Sequence, residues 1–252
     1  MPYFDRPDAR LHYQQHGKGP CVVFLHGSGG NHLNWWQQIP VSSQRYRCLI
    51  PDLRGFGLSR VATPPFDAAM FSDDLLALMN HLGIARAHLV GQSIGGHYAL
   101  RFALAHPQRV HGLVLADTLA GIADDRIAAA KRAAGPIPDD LFERALGAIF
   151  REQRPDLTFL YKSIERINHV DRTPETLVPL EIKTEALANL VSPTLFLVGE
   201  QDPVAPPAAV ELAAKLVRGA QFKMIPNSGH SPYFERPEAF NRTVLEFLEA
   251  LI

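Results

Sequence analysis

Gly91-Gln92-Ser93-Ile94-Gly95-Gly96 stands between an apolar run, Ala87-His88-Leu89-Val90, and a helical-looking segment from His97 to His106 that Pro107 closes. Strand, tight turn and helix is the setting in which a G-x-S-x-G motif presents a serine at the tip of a sharp turn. Backbone at such a tip is strained, and Gly91 and Gly95 let strand and helix pass where side chains would collide. The Ser93 hydroxyl is then lifted clear of both elements. The helix start behind it brings unpaired N–H groups and partial positive charge, suited to a developing oxyanion. The same pattern occurs by chance in loops, so its meaning rests on what stands at the other strand ends.

Upstream, Cys21-Val22-Val23-Phe24-Leu25 is an uninterrupted apolar run with the character of a buried parallel strand. It ends in His26-Gly27-Ser28-Gly29-Gly30, whose glycines let backbone N–H groups face a ligand. The Ser28 N–H is expected to pair with that of Ile94 as the two oxyanion donors. Before this run, Tyr3-Phe4 and Leu11 to Gln15 flank a Pro7-Asp8 turn and predict an antiparallel hairpin. Arg47 to Ile50 reads as a strand leading into Asp52-Leu53-Arg54-Gly55-Phe56-Gly57-Leu58-Ser59, with Asp52 and Arg54 expected to brace that loop as an ion pair. Met70 to Leu82 predicts a helix with Leu75, Leu78, Met79 and Leu82 on one face.

Downstream, Val110 to Ala116 is another buried strand, ending at Asp117. The alternation of strand and helix predicts a parallel sheet covered on both faces. It stops from about Gly121 to Leu190, where no strand is expected. Helical segments at 124–134, 139–150, 155–167 and 174–190, punctuated by prolines, predict a helical block laid over the strand ends. Strands resume at Thr194 to Val198, followed by Gly199-Glu200-Gln201-Asp202-Pro203. Phe222 to Ile225 follows, then Asn227-Ser228-Gly229-His230 and a terminal helix from about Pro237.

In open α/β sheets ligands bind outside the carboxyl ends of the strands. Ser93, Asp202 and His230 each follow a predicted strand, so all three fall on one sheet edge in the chain order Ser, Asp, His. A serine hydroxyl is a poor nucleophile at neutral pH. His230 would take its proton and Asp202 would hold the imidazole. Asp117 also follows a strand and is the alternative acid; the tight glycine exit at Gly199 to Asp202 favours Asp202. His32, Trp35, Trp36 and Gln92 are assigned to the substrate pocket, with packing of both indoles as the competing reading of the Trp-Trp pair. A cation facing the pocket, Lys162 or Arg166, would favour a substrate carrying a carboxylate.

The length of 252 residues suits one large α/β domain with an insertion. A formal net charge of −1 provides no global field for nucleic acid or an anionic membrane, and neither is expected as a partner. The two cysteines, Cys21 and Cys48, lie in strand-like runs and read as buried thiols, which fits a reducing compartment. The first residues lack the apolar run of a signal peptide, and no segment is long enough to span a bilayer, so a cytoplasmic location is expected. No histidine pair has H-x-x-x-H spacing with a carboxylate, and no phosphate-binding glycine loop opens a helix. No metal and no cofactor are expected.

The sequence resembles the α/β-hydrolase superfamily over nearly its whole length. The resemblance rests on Phe24-Leu25-His26-Gly27-Ser28-Gly29, Asp52-x-Arg54-Gly55-x-Gly57-x-Ser59, the Ser93 motif, Gly199 to Val204 and Ser228-Gly229-His230. It implies an eight-stranded, mostly parallel sheet flanked by helices, with a helical cap between strands six and seven. Residues 1–120 and 191–252 would then form the core and 121–190 the cap. The resemblance supports Ser93, Asp202 and His230 as nucleophile, acid and base. Within the superfamily the chain looks most like small capped bacterial carboxylesterases and enol-lactonases. Leu115 to Ile122 is loosely similar to the enol-lactonase pattern, and a serine nucleophile argues against epoxide hydrolases and haloalkane dehalogenases. The leading expectation is a serine hydrolase of a small carboxylic ester. A lactonase or carbon–carbon bond hydrolase is the alternative, and a slow-turnover ligand-binding receptor is the reading from another class. The expected partner is a small-molecule ester or lactone, with a homodimer admitted as an assembly.

Overall fold

The computed structural model describes residues 2–61, 68–168 and 181–251. Its strands are β1 (Tyr3–Arg6), β2 (Ala9–His16), β3 (Cys21–Leu25), β4 (Arg47–Pro51), β5 (Arg60–Val61), β6 (Ala87–Gln92), β7 (Val110–Ala116), β8 (Ile122–Ala123), β9 (Ile182–Lys183), β10 (Thr194–Gly199) and β11 (Gln221–Ile225). Eight of them form a continuous sheet in the order β1-β2-β4-β3-β6-β7-β10-β11, and the two-residue β5 pairs with β2 as a ninth member. The β1/β2 and β2/β4 pairings are antiparallel. All pairings from β4 to β11 are parallel. This is the expected α/β-hydrolase sheet, with the insertion between its sixth and seventh strands, β7 and β10.

The apolar runs work because successive strand residues point to opposite faces. Val23, Leu25, Leu89, Leu113, Leu115, Phe196 and Val198 share one buried cluster with Phe71, Leu75, Leu78 and Met79 of the helix Ala68–His81. Their neighbours Val22, Phe24, Val90, Val114, Leu195 and Leu197 face the other cluster, with Phe240, Val244, Phe247 and Leu248 of the helix Pro237–Glu249. The last four recur at helical spacing and put one stripe of that helix on the sheet. Each such side chain, fully buried, contributes about 1.5–3 kcal/mol. Cys21 and Cys48 are free and buried, and burial pushes both thiols up to about 12.

The insertion departs from expectation in three ways. The helix expected over 139–150 is two, Leu141–Ala145 and Ala148–Gln153, broken where Leu146 and Gly147 take extended backbone. Strands also occur: β8 and β9 pair in parallel through Ile122 and Ile182, whose side chains are buried. A two-residue pairing has no periodicity to read. Within the expected helix 174–190, residues 174–180 lie outside the described residues, and Thr184–Asn189 is a 3₁₀ helix. The other two expected segments form the helices Asp125–Ala133, capped by the Asp124 carboxylate, and Pro155–Glu165. Among the described residues no helix is long and apolar enough to cross a membrane.

Candidate active site

Ser93 joins β6 to the helix Ile94–Ala105 with φ 52° and ψ −117°. A non-glycine residue there costs about 1–3 kcal/mol and persists only where its surroundings impose it. The imposition is visible. The Ser93 N–H donates to the Ala116 carbonyl at the end of β7. A Cβ on Gly91 would lie 2.5 Å from the Gly95 carbonyl oxygen, so the turn closes only without one.

Three strand ends meet at this hydroxyl. Ser93 Oγ lies 3.1 Å from His230 Nε2, and His230 Nδ1 lies 2.8 Å from Asp202 Oδ2. A carboxylate only accepts, so Nδ1 carries the proton and Nε2 offers its lone pair to the hydroxyl. The other Asp202 oxygen accepts the N–H groups of Val204 at 2.8 Å and Ala205 at 2.9 Å. An imidazole held this way can take a proton from Oγ while the anion beyond it stabilises the imidazolium.

Asp117 occupies the neighbouring strand end, also at positive φ, 51°. Its Oδ1 accepts the Gly199 N–H at 2.9 Å, while its Oδ2 is buried without a hydrogen-bond partner. Burial first, and the Asp202 charge second, push the Asp117 carboxyl well above the usual carboxylate range. Of the two neighbouring carboxyls, the one touching His230 is that of Asp202.

A cavity of about 470 Å³ opens over Ser93. Ser28 and Ile94 lie on its wall beside Ser93, and Ile122, Lys131 and Glu181 of the insertion line it too. The loop carrying Ser28 abuts the turn: a Cβ on Gly27 would lie 3.2 Å from Ser93 Cβ. His97, one helical turn after Ser93, also lines the cavity. Burial, then the Lys131 charge, lowers its pKa to about 4, so it faces the cavity uncharged.

A model of the alpha/beta hydrolase family matches residues 22–243. The chain belongs to that family. It is a hydrolase of the α/β fold. Over 96% of its length it is 29% identical to a 2-hydroxy-6-oxononadienedioate/2-hydroxy-6-oxononatrienedioate hydrolase of Pseudomonas putida, spanning 92% of that protein. Among solved structures it is similar to a thermophilic esterase from Thermogutta terrifontis, with 29% identity, a TM-score of 0.82, and 96% and 94% of the two chains covered. The enol-lactonase from Burkholderia xenovorans LB400 superposes with a TM-score of 0.81 at 25% identity, covering 98% and 100%.

The four residues assigned to the substrate pocket of this hydrolase do other work. Trp35 is fully buried against Phe24, Tyr233 and Phe240, a core position. Trp36 is exposed and meets Phe234 edge-on. Two adjacent residues of a helical turn cannot share one direction, and here neither lines the cavity over Ser93. The His32 N–H donates to Asp52 Oδ1 at 2.6 Å, and its Nδ1 lies 2.9 Å from the same oxygen. Gln92 is buried and its Nε2 donates to the His230 carbonyl at 2.9 Å, steadying the histidine loop.

The expected Asp52–Arg54 pair is also replaced. Arg54 reaches Asp74 and Asp8, at 2.8 and 2.6 Å. Asp52 instead accepts from His12 Nδ1 at 2.8 Å, from His32, and from the Leu58 N–H at 2.9 Å. Burial alone would raise the Asp52 carboxyl; the hydrogen bonds from His12 and His32 outweigh it and hold the group below the usual carboxylate range. The ligand-type atoms of His12, His32 and Asp52 lie within 4.8 Å of one another; both Nδ1 atoms and the carboxylate are taken up by these mutual hydrogen bonds, while His12 Nε2 is buried without a partner. Lys162 and Arg166 do not line the cavity; Lys162 sits 4.7 Å over the Phe142 ring. Lys131 takes the position imagined for them. The i, i+4 spacing of His97 from Ser93 is a legible signal for that residue, whereas Lys131 has none.

Proposed function

We propose that the chain hydrolyses a small carboxylic ester by way of an acyl-enzyme on Ser93. The line Ser93 Oγ–His230 Nε2, 3.1 Å, and His230 Nδ1–Asp202 Oδ2, 2.8 Å, is the observation that carries this reading. Oγ attacks the ester carbonyl as its proton passes to Nε2. The N–H groups of Ser28 and Ile94 receive the oxyanion, each such donor being worth about 10²–10³ in turnover. The imidazolium returns the proton to the leaving alkoxide, and the C–O bond breaks. Water then attacks the acyl carbonyl, again losing a proton to His230, and the acid departs with Ser93 restored. Residues 1–120 and 191–252 act as the catalytic core, and 121–190 as a cap that shapes the space above Ser93. No step calls for a metal or cofactor. A short aryl ester tests the proposal: wild-type protein hydrolyses it and Ser93→Ala does not, and undiminished hydrolysis by the variant refutes the mechanism.

A lactone, or a carbon–carbon bond flanked by a carboxylate, is the second reading. It is favoured by Lys131, a cation on the cavity wall, and by the activities named for the Pseudomonas putida and Burkholderia xenovorans relatives. Paired neutral and acidic substrates of equal size separate the readings.

A further inference from the structure

Glu235 is a buried carboxyl that the mechanism above leaves without a task. It closes the short helix Pro232–Glu235, which follows His230 and Ser231. Its Oε1 accepts the Gly229 N–H at 2.9 Å, and its Oε2 accepts the Gly147 N–H at 3.0 Å. Gly229 is the residue before His230. Gly147 is the break between two helices of the insertion. The two backbones come so close that a Cβ on Gly229 would lie 2.7 Å from the Gly147 nitrogen. Nearby, the Tyr161 hydroxyl of the insertion lies 3.2 Å from Ser231 Oγ.

We propose that Glu235 is a latch, a positioning residue whose carboxylate ties the insertion to the loop carrying His230, so that the seating of one and the aim of the other change together. Its consequence for catalysis rests on the Ser93–His230 reading. A carboxylate suits the task because both oxygens accept, one for each N–H. A glutamine would meet one of those N–H groups with a donor of its own.

The latch also responds to pH. Burial raises the Glu235 carboxyl to about 7, against the opposing hydrogen bonds from Gly147, Gly229 and Ser231 and the charge of Arg236. At the end of β7, burial and the Asp202 charge raise the Asp117 carboxyl, and the Glu235 charge adds to them. Arg154, Arg236 and Glu238 share with it the wall of a separate cavity of about 270 Å³. Tyr161 and His230 belong to the segments it joins. Above about 7 the ionised group accepts both N–H groups. Below that value one oxygen carries a proton, and one of the two ties is weakened.

Proton–nitrogen correlation spectra across pH 5.5 to 8.5 test the latch without any substrate. In the wild type the Gly147 and Gly229 amides move with one shared midpoint close to 7, and in Glu235→Gln that joint movement is gone. Amides that titrate independently, or not at all, overturn the proposal. Should Glu235→Gln fail to fold, Glu235→Asp, one methylene shorter, splits the pair: Gly229 still titrates and Gly147 does not. Joint titration in that variant equally overturns it.

Kinetics test the catalytic arm. A single essential proton gives log(kcat/KM) a unit slope on the acid limb. The latch adds a second proton, so the wild-type limb is steeper than one and the Glu235→Gln limb returns to one. Glu235→Gln also raises KM as it lowers kcat, which a mere loss of folded protein would not do. A wild-type limb of unit slope removes the catalytic coupling. If Ser93→Ala retains full hydrolysis, the mechanism fails, and the amide titration still decides the latch.

Discussion

On the sheet side of the cavity Ser93, His230 and Asp202 are each fixed by hydrogen bonds to the strands or the loops beside them. His230 is gripped at Nδ1 by Asp202 and at its carbonyl by Gln92. Asp202 is gripped by two backbone N–H groups and Ser93 by its own N–H to β7. The insertion side is built from short helices whose ties to the core include Gly147 to Glu235, Tyr161 to Ser231, and the Asn31 side-chain amide to the Ile164 carbonyl at 2.9 Å. It contributes lining, including Ile122 and Lys131, and no member of the hydrogen-bonded line at Ser93. The contrast separates two jobs. On the proposed mechanism, the strand ends would fix where a proton goes and the insertion would decide what fits beside it. Changes on the sheet side should therefore act on kcat, and changes on the insertion side on KM and substrate preference.

The sharpest way to break that division lies within the sheet side itself. Asp202→Asn should lower kcat by about 10⁴, because the amide stabilises the wrong imidazole tautomer. Asp117→Asn should cost less than about tenfold, since Asp117 does not touch His230 and an amide of the same shape can still accept the Gly199 N–H. Steady-state kinetics on one ester decides it, and a larger loss at Asp117 would reassign the acid.

The next test sits on the seam between the regions. Glu235 titrates near 4.5 when unfolded and about 7 when folded. The unfolded chain therefore binds fewer protons between those values, and stability falls as pH rises through that window. Relative to Glu235→Gln, the wild type should lose about 3 kcal/mol from pH 4.5 to pH 7. Urea unfolding at the two ends measures it. Parallel curves would mean that the group is not desolvated.

The smallest effect belongs to the insertion. Lys131→Met should raise KM about fivefold for an ester bearing a carboxylate, the scale of an exposed ion pair. A neutral ester of the same size should be unaffected. An equal change for both would move Lys131 from recognition to packing.

The same contrast marks what the sequence could convey. Strand ends were legible because Cys21 to Leu25, Leu113 to Ala116 and Leu195 to Val198 are apolar without interruption, and each exits through glycine or a charged turn. Parity along those strands sorts the two core faces with no further information. The pocket was not legible. Trp35, Trp36, His32 and Gln92 have the residue types of a binding site, and only tertiary packing turns the first to the core and the last to the histidine loop. Arg54 likewise passes over its neighbour Asp52 for Asp74, because Asp52 is already filled by two histidines drawn from distant strands and turns. The break at Gly147 and the Ile122–Ile182 pairing are too short to leave a period in the chain.

The most direct measurement is the mass of the enzyme quenched during turnover of a slow-deacylating aryl ester. The expected result is an increment equal to the acyl group, carried by the peptide containing Ser93 and missing in Ser93→Ala. Continued turnover with no acyl group on Ser93 would contradict the account.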